Sequence, residues 1–167
     1  MEYRAISLHQ PWASLVALGI KRYETRSWST KFRGKLLICS AKKKYVPDIS
    51  FVNKVFDLKD VRQFDRTRLD FIGTNTEYVE FLPLGKILCV TDLVDCLKME
   101  SYPKHKENII LEDVPELEQL CGDWQAGRYA WELANLMTLP KPIPIKGKQG
   151  LWIPDSSIIQ DIEKQFQ

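Results

Sequence analysis

The sequence predicts an α+β fold, a small mixed β-barrel with short flanking helices, in one domain over residues 1–167. Three observations support this. At least five short strand-like runs are spread along the chain. The helical segments between them do not alternate regularly with strands, which argues against a βαβ sheet. A short helix also runs directly into a charged strand near the N-terminus, in LHQPWASLVALGIKRYETRSW, residues 8–28.

Gln10–Leu18 reads as a helix. Pro11 suits the first helical position, where its missing N–H would have no partner. Trp12, Leu15 and Val16 fall at i, i+3 and i+4, giving one apolar face. Gly19 closes the helix in the left-handed region, where a Cβ fits poorly. Ile20–Trp28 follows as an extended segment, with Glu24, Arg26 and Trp28 on one face and Tyr23, Thr25 and Ser27 on the other. Lys21 stands at its start, beside the Gly19 turn. Arg33-Gly34 makes a turn into Lys35–Ala41 (KLLICSA), a strand apolar on both sides. Gly85–Asp95 (GKILCVTDLVD) is apolar almost throughout, as a central strand covered on both faces would be. Residues 48–66 carry Phe51, Val55, Leu58 and Val61 at roughly helical spacings. Residues 113–121 read as a short helix with Asp113 as N-cap and Gly122 after its end. Arg128–Leu133 (RYAWEL) alternates as a strand, placing Tyr129, Trp131 and Leu133 on one face. Pro142–Ile145 and Gly150–Ile153 pair around Lys146-Gly147-Lys148 in a closing hairpin. Ser156–Phe166 then docks Ile158, Ile159, Ile162 and Phe166 on the body.

Composition narrows the class. The chain is 44% hydrophobic and 28% charged, as soluble globular domains are, so a sizeable core can form. No apolar run approaches the roughly 18 residues of a membrane span, and no membrane association is expected. The opening MEYRAISLHQ lacks a basic stretch followed by an apolar one, so no secretory leader is expected. The four cysteines, Cys39, Cys89, Cys96 and Cys121, form no CxxC pair and have no metal-ligand spacing with His9 or His105. Reduced core thiols, a cytoplasmic setting, no metal and no cofactor are the expectations, with a monomer or weak dimer.

The net charge of +2 conceals an asymmetry. Residues 1–50 hold ten Lys or Arg against three acids, a surplus of +7, while residues 57–123 hold eight against fifteen, or −7. Either a basic face meets an anion, or the two sets interleave in space and cancel. Lys21, Glu24 and Arg26 pose the same choice at short range. A carboxylate accepts, a guanidinium donates a planar fork, and an amine lowered in pKa by burial can serve as a base. Together they hold a nucleobase edge and a phosphate or ribose, move a proton during hydrolysis, or form a salt-bridge cluster contributing about 0–1 kcal/mol.

Trp12 and Trp28 lie near these charges in sequence, and Trp131 and Trp152 lie on strands that could close the same barrel. They are either stacking walls or core residues. Lys42-Lys43-Lys44 and the group Lys141, Lys146 and Lys148 are basic clusters, read as phosphate contacts or as solvated loops. No GxSxG, P-loop, Rossmann glycine pattern or HExxH occurs.

The stretch SLHQPWASLVALGIKRYETRSW resembles the signature of the activating signal cointegrator homology (ASCH) domain family, a QP-x-A helix followed by G-x-K-x-x-E-x-R. The likeness continues through FRGKLLICSAKK, GKILCVTDLVDCL, RYAWEL and PIPIKGKQGLW, and is weaker over 45–83 and 99–122. It implies a PUA-like barrel, like that of the pseudouridine synthase and archaeosine transglycosylase domains, with helices beside a cleft. It also implies binding of RNA or another nucleic acid. Lys21, Glu24 and Arg26 match the family's lysine, glutamate and arginine, and Gln10 and Pro11 match the helix start that walls the cleft. On this resemblance Gln10, Trp12, Lys21, Glu24, Arg26, Trp28, Lys43 and Lys146 are the expected binding residues. A bacterial branch is similar to a small amidohydrolase acting on N4-acetylcytidine, a modified nucleoside. Lys21 and Glu24 are then the catalytic candidates. That branch, however, carries a threonine where this chain has Glu24, and Thr25 falls on the opposite strand face.

Overall fold

The structure, a computed structural model, describes residues 2–43, 54, 82–102 and 105–167. Apart from Lys54, the expected helix at 48–66 lies outside these residues, as does Lys44. The elements in chain order are β1 (Tyr3–Leu8), α1 (Trp12–Ala17), β2 (Tyr23–Arg26), β3 (Gly34–Ser40), β4 (Lys86–Glu100), β5 (Ile109–Ile110), α2 (Glu116–Cys121), β6 (Tyr129–Pro144) and α3 (Ser156–Glu163). A single 3₁₀ turn, Leu111–Asp113, precedes α2.

One mixed sheet carries the fold, in the order β1-β3-β4-β6-β2, with β5 pairing separately on β4. β1 runs parallel to β3, with Tyr3 opposite Lys35 and Leu8 opposite Ser40. β3–β4, β4–β6 and β6–β2 are antiparallel. The long β4–β6 ladder shifts register at Ile87/Cys89, Val90/Asp92 and Leu93/Asp95. Each shift adds local twist and bends the strands, which curls the sheet. At the second shift Thr91 Oγ1 donates to the Ala134 carbonyl at 2.6 Å. Asn135 nearby takes φ 51°, a conformation asparagine tolerates better than most residues.

The apolar character of β3 on both sides is explained by two cores. Leu36 and Ile38 join Ile6, Leu8, Ala13, Val16 and Trp131 under α1, while Leu37 and Cys39 join Ala5, Ile87, Val90, Trp152 and Ile162 under α3. β4 is central and buried from Ile87 to Thr91, as its composition predicts.

Four expectations are corrected. The sheet is not closed into a barrel: no ladder joins its edge strands β1 and β2. The closing hairpin is absent. β6 runs on through Pro144, and among the described residues the returning segment makes only one bridge, Ala5 to Trp152, against β1 instead. Asp113 sits in the 3₁₀ turn, and Pro115 occupies the N-cap of α2, because the turn at 111–113 uses up the helix's first residues. α3 buries Ile162 but leaves Phe166, beyond its end, 41% exposed.

Candidate nucleic-acid interface

The open seam between β1 and β2 is where the charged residues gather. Gly19, at φ 77°, reverses the chain after α1, and the amides of Ile20 and Lys21 both donate to the Leu15 carbonyl. This fixes Lys21 just ahead of β2 with its side chain pointing inward. Lys21 Nζ, with only 1% of the side chain exposed, donates to the Cys121 carbonyl at 2.8 Å and lies 3.5 Å from Glu24 Oε2. The other carboxylate oxygen of Glu24 stands 3.0 Å from Arg26 Nε. That Arg26 N–H makes no hydrogen bond, so the contact is an ion pair without alignment. Arg26 Nη2 reaches across the seam to donate to the Ser7 carbonyl on β1 at 3.4 Å. Ammonium, carboxylate and guanidinium thus form one row, with Glu24 as the anion between two cations.

The row forms one wall of a cleft of about 410 Å³, within the roughly 300–1,000 Å³ of small-molecule sites. Ser7, Leu8 and His9 at the end of β1, Trp12, Thr25, and Leu120–Asp123 at and beyond the end of α2 complete the lining. A second hollow of about 660 Å³ adjoins it and shares Ser7, His9 and Arg26. Its remaining walls are Ala41, Lys42, Lys43 and the loop Lys146–Gly150. All four lysines here are exposed, and two of them have packing contacts. The stem of Lys42 lies over Gly85, where a Cβ would sit 2.7 Å from it. Lys148 Nζ stands 5.4 Å over the Trp152 ring, and Gly147 is pressed against Ser7. Basic residues from the two ends of the chain therefore form a continuous groove beside a mixed-charge cleft.

Two of the expected binding residues and one lysine of the second basic cluster lie elsewhere. Gln10 is buried, accepting from the Ser14 amide at 3.1 Å and donating to the Pro83 carbonyl at 2.9 Å. It locks the start of α1. Trp28 packs edge-on against Trp131, ring centroids 4.7 Å apart, in the core under α1. Lys141 is tied through its backbone to Gln165, away from the groove lining.

The segment 118–123 supplies groups that the sequence pattern did not flag. Glu118, almost fully buried, accepts from the Arg22 amide at 2.7 Å and the Tyr23 amide at 3.3 Å, clamping α2 to the start of β2. Burial raises its carboxyl above the ordinary value, against the lowering effect of those amides and of Lys21 and Arg22. Thr25 Oγ1 accepts from the Asp123 amide at 2.9 Å, fixing the loop that floors the cleft. The Cys121 thiol is pushed up to about 12 by burial, so it is a protonated, unreactive lining group. Among the described residues no three His, Cys, Asp or Glu side chains cluster as a metal site. No helix among them is long and apolar enough to cross a membrane.

A curled mixed sheet flanked by short helices, with a polar cleft at its seam, is the framework of a known class. The ASCH domain model matches residues 6–143, and the chain belongs to the ASCH domain family. It is 31% identical over 159 residues to activating signal cointegrator 1 of Homo sapiens and, equally, of Mus musculus. The match takes in 95% of this chain but only 23% of either relative's length. The crystal structure of a point mutant of the ZmASCH protein from Zymomonas mobilis superposes with a TM-score of 0.53 over 98% of both chains, at 11% identity, a likeness of fold.

Proposed function

We propose that this protein binds nucleic acid, RNA before DNA, through the cleft and the lysine groove beside it. The observation that carries this reading is the continuity of the two hollows through Ser7, His9 and Arg26. One hollow presents paired donors and an acceptor beside Trp12. The other presents Lys42, Lys43, Lys146 and Lys148. Mixed polar groups beside an aromatic ring suit a base, and a row of exposed lysines suits a backbone of phosphates. Membership of the ASCH family agrees with a nucleic-acid partner. Arg26 serves both hollows, and Lys21 holds the cleft wall from behind. Glu24 accepts from an exocyclic amine or holds Arg26 in position.

The hydrolytic alternative on an acylated nucleoside receives less support. Both oxygens of Glu24 are engaged by cations, and Lys21 Nζ is engaged by two acceptors. Release of free cytidine from N4-acetylcytidine by the purified protein, lost in Lys21→Ala, would favour that alternative.

The test of binding is a titration of single-stranded RNA across a salt series. Lys43→Ala and Lys146→Ala are expected to weaken binding on all sequences and to reduce the slope of log K against log salt by roughly 0.7 each. Arg26→Ala is expected to weaken binding at every salt concentration. Equal affinities and equal slopes for the three variants and the wild type would overturn the proposal.

A further inference from the structure

The shared wall of the two hollows contains two buried polar atoms without hydrogen-bond partners, Ser7 Oγ and Arg26 Nε. Both residues line both hollows. Gly147 stands so close that a Cβ there would lie 2.5 Å from Ser7 Oγ, which brings the Lys146–Lys148 loop against the same spot. Ser7 Oγ is thus unpartnered, and the Arg26 guanidinium, whose Nε faces Glu24 at 3.0 Å without an aligned hydrogen bond, lies beside it where the cleft opens into the groove. Behind it the cleft holds Trp12 and the mixed-charge row; ahead of it lie four lysines.

We infer, resting on the nucleic-acid reading above, that the two hollows take one ligand together: a nucleotide turned out of its strand. Its base enters the cleft beside Trp12, its phosphate lies at the Ser7–Arg26 junction, and the neighbouring phosphates run along Lys43, Lys146 and Lys148. The arrangement selects for a base that is not paired. A base held in a duplex offers its ring faces to its own neighbours and cannot bring a face to Trp12 while its backbone follows the lysines. Cytosine, adenine and guanine carry the exocyclic amine that Glu24 would accept from.

The test compares a short single strand with a strand of equal length built entirely of abasic sugar-phosphate units, which keeps the charge and removes the bases. Wild-type protein is expected to bind the base-bearing strand roughly tenfold or more tightly than the abasic one, the scale of one base stacked on an aromatic ring. Trp12→Ala is expected to bring the base-bearing strand down to the abasic level. Lys146→Ala is expected to lower both by the same factor. A perfect duplex should bind like the abasic strand, and a duplex with one bulged nucleotide should regain the difference, which extends the site to bases extruded from a duplex. Equal binding of base-bearing and abasic strands by the wild type, or a perfect duplex matching the free strand, overturns this inference and leaves groove binding standing. Binding of neither strand overturns the nucleic-acid reading itself. The wild-type comparison needs no variant, so the inference is tested even if Trp12→Ala fails to fold.

Discussion

Lys21 illustrates how a residue in the wall of a candidate site can act without facing solvent. Its ammonium is sealed from water, donates to the Cys121 carbonyl and faces Glu24. It therefore joins the strand that carries Glu24 and Arg26 to the loop that floors the cleft, contributions separated by a hundred residues of chain. Removing it leaves a buried carbonyl without its donor and Glu24 with one cation rather than two. Truncating one member of a buried ion pair costs about 3–5 kcal/mol, and the remaining Arg26 places the cost at the low end. Lys21→Ala is thus expected to lower the unfolding free energy by about 3 kcal/mol, read from a urea melt. Lys21→Met, which keeps the stem but not the charge, should recover part of the packing and none of the bond. An unchanged melt for Lys21→Ala would show that the ammonium holds nothing. The row was legible in the sequence because Lys21, Glu24 and Arg26 lie within six positions and alternation puts two of them on one strand face. Cys121, Thr25 and Glu118 were not. Their roles depend on backbone carbonyls and amides, which every residue possesses and no motif marks.

At the scale of elements, the sheet's character follows from how its ladders are pinned. Lys35 on β3, Asp92 on β4 and Asn135 on β6 meet across three adjacent strands, with Lys35 Nζ and Asn135 Nδ2 each 2.8 Å from an Asp92 oxygen. This tie crosses the ladder at the Val90/Asp92 register shift, where the backbone pairing is interrupted. Burial works to raise the Asp92 carboxyl, but the hydrogen bonds from Lys35 and Asn135 outweigh it and hold it below its ordinary value of 3.8. A carboxyl lowered in the folded state contributes stability above its unfolded value and loses it as pH falls through the folded one. Asp92→Asn is therefore expected to cost about 1 kcal/mol at neutral pH, a partly exposed and hydrogen-bonded pair, and progressively less below pH 3.8. Urea melts of both proteins across pH check this, and a cost that does not shrink in acid would refute it. The register shifts themselves left no mark in the sequence pattern. GKILCVTDLVD reads as a smooth apolar run, and only the pairing reveals that Leu88 and Cys89 fall in the same core. The doubly covered β3 was legible for the opposite reason, since unbroken apolar character leaves no solvent face to assign.

For the whole molecule, the departure from a closed barrel and the position of the candidate site are one fact. The expectation of a barrel rested on several short strands, but it passed over β1 at Tyr3–Leu8 and split β6 into two, so neither the edge strand nor the pairing of the last edges was legible. β1 meets Trp152 at Ala5 through two backbone hydrogen bonds of 2.8 and 3.1 Å, and two residues further along its edge Ser7 meets Arg26. Successive outward-facing positions of this edge are thus satisfied by a loop and a side chain instead of a partner strand. The gap so kept open is the cleft. A ligand seated there would touch both edges of the sheet at once, doing for the seam what a β1–β2 ladder does in a closed barrel. Binding only to the folded state adds RT ln(1 + [L]/Kd), about 2.7 kcal/mol at a hundredfold excess over Kd. The added protection should not be uniform. Under saturating single-stranded RNA, amide exchange is expected to slow at Ser7–His9, Glu24–Arg26 and Gly122–Asp123, which border the cleft. Leu36–Ile38 at the centre of the sheet, already fully buried, should slow only in proportion to global stability. Slowing confined to the lysines of the groove, with the β1 and β2 edges unchanged, would place the ligand outside the seam and separate the site from the opening in the sheet.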